Sequence, residues 1–133
     1  DATVATTETD AELTATLEGD DLGIAIGRHG QMIDALQYLA NAIAHRTFGD
    51  ERRRVVIDAA GYRARRAETL EDTARRTAER AAATGHRIAL DPMSAIERRI
   101  VHEALKDDPM VETASEGDEP NRYVVVVPRL VGD

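Results

Sequence analysis

The chain has 133 residues, of which 42% are hydrophobic, and a formal net charge of −8. This length allows one ordinary domain or two small ones. Because the sequence contains no cysteine, disulfides and thiolate metal sites are excluded. With one Phe and no Trp, the core must be aliphatic and mostly helical. The sequence shows neither a signal peptide nor an apolar run of membrane-spanning length, so we expect a cytoplasmic protein without membrane insertion.

The negative charge lies mainly towards the two ends of the sequence. Residues 1–21 hold seven acids and no base, and residues 103–120 hold seven acids and one Lys. Residues 22–102, in contrast, hold fourteen Arg and ten acids. A basic centre can bind nucleic acid even in an acidic protein, and such binding should be weak and sensitive to salt.

Two strands or a hairpin are predicted within residues 1–19, which are rich in Thr and alternate in polarity. Asp20 and Asp21 are suited to cap a short helical turn that leads to Ile26. A helix is then predicted over Gln31–Thr47, because apolar residues recur there at helical spacing and form one face: Ile33, Leu36, Ala40 and Ile43, with Met32 and Leu39 beside them. A compact strand over Arg52–Asp58 follows.

The loop Gly27-Arg28-His29-Gly30 leads directly into the predicted helix. Such a helix N-terminus presents unpaired N–H groups and the positive end of the helix dipole, which together can hold a phosphate. Two glycines let a nucleic-acid backbone approach closely, and Arg28 and His29 supply donors and charge. The Gly-x-x-Gly spacing alone is a weak signal, so a plain helix-initiating turn stays open as the alternative.

The loop and its flanking segments resemble a KH domain, whose Gly-x-x-Gly loop clamps backbone nucleotides. They are most similar to the KH half of the bacterial Jag (SpoIIIJ-associated) family, in which I-G-x-x-G-x-x-x-D-A-L-Q-Y-L is characteristic. The matching residues are Ile26, Gly27, Gly30 and 34–39. The resemblance implies an α+β fold with a three-stranded sheet and helices on one face, over about residues 1–60. It also implies that the loop residues Gly27, Arg28, His29 and Gly30 hold phosphates, and that Ile26 and Ile33 support bases.

The second half of the sequence predicts a long helix over Gly61–Thr84, closed by Gly85 and with an apolar stripe of Ala67, Leu70, Ala74, Ala78 and Ala81. Its other faces mix Arg with Asp and Glu at i, i+3 and i+4 spacing. A solvated, salt-bridged face and a phosphate-tracking face both fit this pattern.

Further along, a short strand is predicted over His86–Leu90. A helix over Pro92–Lys106 follows, with Asp91 as its N-cap and an inward face of Met93, Ile96, Ile100, Val101 and Ala104. The last hairpin is predicted to pair Val111–Ser115 with Tyr123–Val127.

Arg98 and His102 stand four residues apart, which places them on one face of that helix, away from Ile96 and Ile100. On the helix alone, a histidine that packs or caps locally is the more ordinary interpretation. The order of elements and residues 86–127, however, are similar to the R-3-H domain, a small αβαββ nucleic-acid module that forms the C-terminal half of Jag proteins. This resemblance implies that Arg98 and His102 face nucleic acid with Arg122 beside them, in a domain over about residues 61–133 whose first helix doubles as a tether.

Enzymatic chemistry is not indicated. The glycines form neither a dinucleotide fingerprint nor a P-loop, and His102-Glu103 lacks the second histidine of a zincin. The four scattered histidines do not propose a metal site, and Asp34 has no evident partner for general-base work. We therefore expect no cofactor, no metal and no catalysis.

The sequence predicts a non-catalytic protein that binds single-stranded RNA, with single-stranded DNA as a second candidate ligand. Low sequence specificity is expected because aromatic residues are few. By resemblance it is a post-transcriptional regulator linked to cell elongation and the envelope. The alternative, also by resemblance, is an interaction adaptor that pairs with a small KH-only protein. Changing Gly27 and Gly30 together to Asp is expected to abolish RNA binding and leave the fold intact.

Overall fold

The computed structural model describes residues 2–51 and 53–129. The chain forms two compact units, one up to Arg65 and the other from Arg66 onwards. Each unit has its own three-stranded sheet and its own apolar core. The α+β fold class is confirmed, whereas the predicted boundary at residue 60 and the tether role of the long helix stay predictions.

The first unit is built on a sheet of order β1-β2-β3. β1 (Ala2–Glu8) and β2 (Glu12–Gly19) form the predicted antiparallel hairpin. Thr9 closes its turn, where the hydroxyl oxygen accepts the N–H of Glu12 at 3.0 Å. β3 (Arg54–Ala59) pairs with β2 in parallel. The predicted start of this strand, Arg52, lies outside the described residues.

Two helices connect β2 to β3, namely α1 (Gly23–Ile26) and α2 (Gln31–Phe48). The predicted capping of α1 by Asp20 or Asp21 is wrong, because Leu22 is the N-cap and no side chain caps the helix. Asp21 instead adopts a left-handed backbone with φ of 55°. The prediction for α2 is confirmed to within one residue, and its C-cap Gly49 donates its N–H to the carbonyl of His45.

Side-chain amides of α2 close the free edge of β3. The amide of Asn41 donates to the carbonyl of Val55 at 2.8 Å and accepts the N–H of the same residue at 2.9 Å. Gln37 accepts the N–H of Ile57 at 2.9 Å. Backbone groups that an edge strand would leave open are thereby satisfied, which blocks pairing with another chain.

The core of the first unit is small. Leu22, Ile33 and Ala59 are its buried residues. Of the apolar face predicted on α2, Ile33 alone is buried and Ala40 is half-buried. The others remain exposed: Met32 (46%), Leu36 (40%), Leu39 (55%) and Ile43 (65%). The periodicity correctly predicted the helix, whereas most of its apolar face is left uncovered in the first unit.

The second unit has the predicted αβαββ order: α3 (Tyr62–Thr84), which begins in the first unit, then β4 (Ile88–Ala89), α4 (Ala95–Leu105), β5 (Val111–Glu116) and β6 (Tyr123–Pro128). β6 is the central strand and pairs antiparallel with both neighbours. The core holds small residues of α3 against larger ones of α4 and the sheet: Leu70, Ala74, Ala78, Ala81, Val101, Leu105, Val111, Val124 and Val126. Gly85 ends α3 as predicted, with its N–H on the carbonyl of Ala81 at 2.8 Å.

The predicted start of α4 is wrong by three residues. Its N-cap is Ser94, whose hydroxyl accepts the N–H of Glu97 at 3.3 Å. The preceding residues instead follow the sheet, since Met93 donates its N–H to the carbonyl of Arg122 at 3.2 Å. Ser94 lies three residues before Glu97, the spacing of a capping box, and the helix begins there rather than at Asp91-Pro92. Ile96 is also not inward, with 46% of its surface exposed.

Candidate nucleic-acid interface

The Gly27–Gly30 loop is one short 3-10 turn whose backbone requires glycine at both ends. Gly27 has φ of 72° and ψ of −176°, a region open almost only to glycine. Gly30 is left-handed with φ of 79°, and so is His29 with φ of 53°. Arg28 and His29 are both exposed at the tip.

The loop is followed directly by α2, whose N-terminus has no side-chain cap. Gly30 is the N-cap and has no side chain to accept first-turn N–H groups. The N–H of Gln31 donates to the carbonyl of Arg28. Asp34 is the one acid of the first turn, and its carboxylate pairs with Arg63 at 2.7 Å. The later first-turn donors and the helix dipole are therefore left for an external anion, while the first-turn carboxylate is compensated.

Both loop glycines are also packed tightly. A Cβ on Gly27 would lie 3.0 Å from the backbone nitrogen of Met32, and a Cβ on Gly30 would lie 2.8 Å from Cε2 of Tyr62. Contacts this short force neighbouring atoms to move. The geometry therefore predicts that Asp at both glycines destabilises the first unit, contrary to the expectation that the fold stays intact.

The two isoleucines predicted to support bases lie in different environments. Ile26 is half-buried against the core, whereas Ile33 has no exposed surface. Ile33 therefore acts from inside the core, where it holds the first turn of α2 in place. The exposed apolar side chains around the loop are Met32, Leu36 and Ile24, the last with 87% of its surface exposed. Helical periodicity placed Met32 and Leu36 on one apolar face without indicating whether that face is covered, so sequence reasoning did not name them as contact residues.

In the second unit, Arg98 lies beneath the surface and is engaged on both sides. Its side chain is 9% exposed. One guanidinium nitrogen donates to the carbonyl of Met93 at 2.8 Å, and the other donates to Glu119 at 2.6 Å. Glu119, 21 residues further along the chain, was not singled out from the sequence.

His102 is held between two hydroxyl groups of β5. Its Nδ1 lies 2.7 Å from Oγ1 of Thr113, and its Nε2 lies 2.9 Å from Oγ of Ser115. Burial, and then the charge of Arg98, lower the pKa of His102 below its ordinary 6.5. The imidazole is therefore neutral near pH 7 and positions hydroxyl groups rather than contributing charge.

Arg122 joins this cluster through the backbone of the β5–β6 turn. It donates to the carbonyl of Gly117 at 2.6 Å and to that of Ser115 at 3.2 Å. Ser115 thus links Arg122 and His102, and the turn carries the partner of Arg98. The structure therefore brings Arg98, His102 and Arg122 together around one turn.

The comparisons with known proteins cover these two sites separately. Residues 1–57 match the KH domain of the KhpA/KhpB type, and residues 68–128 match the R-3-H domain. The chain belongs to the KhpB (Jag) family. Its relatives in this family include three that carry the name RNA-binding protein KhpB.

The KhpB relative from Clostridium symbiosum is 43% identical over 126 residues, which is 95% of this chain and 56% of that protein. The relative from Lactiplantibacillus plantarum is 44% identical over 117 residues, or 86% of this chain and 36% of that protein. The relative from Bacillus subtilis is 33% identical over 112 residues, or 83% of this chain and 53% of that protein. The chain thus spans about half, or less, of the length of the KhpB relatives it matches.

Within the described residues, no group of three or more His, Asp or Glu side chains is arranged to hold a metal ion. In the same ranges, 2–51 and 53–129, no helix combines the length and apolar character that crossing a membrane demands.

Proposed function

We propose that this KhpB-family chain is a non-catalytic protein that binds single-stranded RNA in the cytoplasm. The observation that carries the proposal is the uncapped N-terminus of α2 beside the exposed side chains of Arg28 and His29. The names of the relatives, RNA-binding protein KhpB, support the same ligand.

The loop residues Gly27, Arg28, His29 and Gly30 hold the RNA backbone. Phosphate oxygens accept N–H groups at the α2 N-terminus, where the helix dipole adds a favourable field. The absence of side chains at Gly27 and Gly30 lets the backbone come close, and the Arg28 guanidinium adds a charge-assisted hydrogen bond. Pairing of Asp34 with Arg63 removes the repulsion that a first-turn carboxylate would exert.

Bases of the bound strand rest on apolar surface beside the loop. Met32 and Leu36 offer exposed aliphatic surface there, and Ile26 contributes from its edge. Aliphatic contacts discriminate little between bases, because every base has an apolar face. We expect low sequence specificity and measurable binding of single-stranded DNA as well.

The second unit adds a weaker contact through the cluster of Arg98, His102 and Arg122. Ser115 and Arg122 are its accessible donors, and neutral His102 orients the Ser115 hydroxyl. Because the two units belong to one chain, a strand held by the loop meets this cluster at high effective concentration. A regulatory role after transcription, linked to cell elongation and the envelope, rests on the family resemblance.

A second function, an adaptor that pairs with a small KH-only protein, is favoured by one observation. Met32, Leu36, Leu39 and Ile43 form an exposed apolar stripe along α2, spaced 4, 3 and 4 residues apart. Helices pair along such stripes. Isolated exposed apolar residues are ordinary, but a continuous row of four marks an interaction surface.

The proposal is tested by NMR mapping of a single-stranded oligouridine titration on the whole chain. We expect the largest amide shifts at residues 27–33, with a second set at the β5–β6 turn. Shifts confined to the far end of α2, or no shifts at low salt, would overturn the loop as the RNA site.

A further inference from the structure

The Arg98 side chain occupies an unusual setting in the second unit, a nearly buried cation whose counter-charge stands in solvent. The Arg98 side chain is 9% exposed, whereas that of Glu119 is 59% exposed. Their atoms approach to 2.6 Å. The pair differs from an ordinary surface ion pair, because the Arg98 charge is largely desolvated and the Glu119 charge is not.

The surroundings supply no second counter-charge to Arg98 among the described residues. Its other guanidinium bond goes to the neutral carbonyl of Met93. His102, one turn further along α4, is neutral near pH 7 since its pKa is lowered. Glu97, the buried acid next to Arg98, pairs with Arg66 at 2.6 Å. Glu116, at the end of β5, pairs with Arg87.

A guanidinium binds a carboxylate and a phosphate through the same fork of donors. The site around Arg98 is therefore an anion site that already contains a tethered anion. We propose that the Glu119 carboxylate is a tethered competitor for the RNA contact at Arg98, and that an incoming RNA phosphate must displace it from the guanidinium. This rests on the proposed function in that RNA supplies the phosphate.

The exchange replaces one anion at Arg98 by another, so the net gain from this contact is small in the wild-type chain. Glu119 thereby sets how much the second unit contributes to affinity. Its high exposure lets the released carboxylate return to water without a buried charge being left unpaired, since the phosphate takes its place. Removing the Glu119 charge should therefore raise the affinity of Arg98 for phosphate.

The test compares the whole chain with Glu119→Gln and with Glu116→Gln, a matched control on the same turn that alters net charge equally. Inorganic phosphate is titrated at constant ionic strength, and the NMR signal of the Arg98 Nε–H is followed. We expect Glu119→Gln to bind phosphate about tenfold more tightly, the gain of one charge-assisted hydrogen bond. Glu116→Gln should match wild type, and Arg98→Gln added to Glu119→Gln should remove the gain. Equal phosphate affinity in Glu119→Gln and wild type overturns the proposal.

If Glu119→Gln does not fold, Glu119→Asp keeps the charge and shortens the side chain by one methylene. That variant should show an intermediate gain in phosphate affinity. If its phosphate affinity equals that of wild type, the result counts against the proposal.

An RNA titration then separates this inference from the proposed function. With oligouridine, Glu119→Gln should bind more tightly, and its affinity should fall more steeply with salt by a slope of about 0.7, as for one added phosphate contact on a single strand. A gain for phosphate without RNA binding by any variant rejects the proposed function and keeps the anion site. RNA binding through the loop without a phosphate gain keeps the function and rejects the competition at Arg98.

Discussion

The ring of Tyr62 lies directly against Gly30, where an added Cβ would stand 2.8 Å from the Tyr62 Cε2 atom. The first residue of α3 thus supports the loop that precedes α2. Gly30 is also buried and left-handed. The geometry of the loop and the stability of the first unit are therefore coupled, because a side chain added at Gly30 would change both.

Substitution Gly30→Asp should destabilise the first unit by about 1–3 kcal/mol, because it combines overpacking with left-handed strain. Urea unfolding followed by amide signals of the first unit measures this loss. The matched variant His29→Asn should cost less than about 0.5 kcal/mol, since Asn tolerates the left-handed conformation and position 29 is exposed. Equal stability of Gly30→Asp and wild type would contradict the packing of Tyr62 against the loop.

Asn41 should contribute more to the free energy of unfolding than its position on a half-exposed helix suggests. Asn41→Leu leaves both the N–H and the carbonyl of Val55 without a partner and should cost about 2–4 kcal/mol. Unfolding in urea gives the value. Tyr38→Ala on the same helix, where 75% of the residue is exposed, should change stability by less than about 0.5 kcal/mol. Similar losses in the two variants would mean that Asn41 does not hold the edge of β3.

The stability of the second unit should depend on pH through His102. Its pKa in the folded state lies below the ordinary 6.5, so just below pH 6.5 the unfolded chain binds more protons at this residue than the folded one. The free energy of unfolding therefore rises with pH across this window. The contribution is fully present above pH 6.5, and it is lost as pH falls from there through the lower pKa of the folded state. Urea unfolding at several pH values should show a flatter dependence for His102→Gln. Identical slopes for wild type and His102→Gln would contradict the account of this residue.

The apolar stripe of α2 separates the two candidate functions. Leu39→Glu with Ile43→Glu changes side chains about 14–20 Å along the helix from Gly30, both exposed. The double variant should retain RNA binding and lose a small KH-only partner, measured by co-purification of the two proteins. Arg28→Glu should do the reverse. Loss of both activities in either variant would place RNA and partner on one surface.

Much of the fold follows from local sequence signals. The helix from Gln31, the Gly85 cap and the final hairpin are set by periodicity and glycine chemistry, which act within a few residues. The start of α4 was missed because Asp91-Pro92 and Ser94 both resemble caps, and only pairing of Met93 with the sheet selects Ser94.

The site was less predictable, because it depends on contacts distant in sequence. Spacing placed Arg98 and His102 on one helix face, but burial of Arg98 is made possible by Glu119. The pattern of α2 showed that Met32 and Leu36 share an apolar face, yet no pattern tells whether another element covers it. Gln37, within the family motif, binds the backbone of β3, a role that only the structure shows.

The most direct test of the central claim measures the affinity of a fluorescent single-stranded RNA across a salt series for wild type, Arg28→Glu and Arg46→Glu. Arg46 is an exposed arginine near the far end of α2 and provides the same change of charge. We predict that Arg28→Glu lowers affinity at least about tenfold and flattens the salt slope by about 0.7, whereas Arg46→Glu binds nearly as wild type does. Equal losses in the two variants, or none in either, would contradict the clamp at the N-terminus of α2.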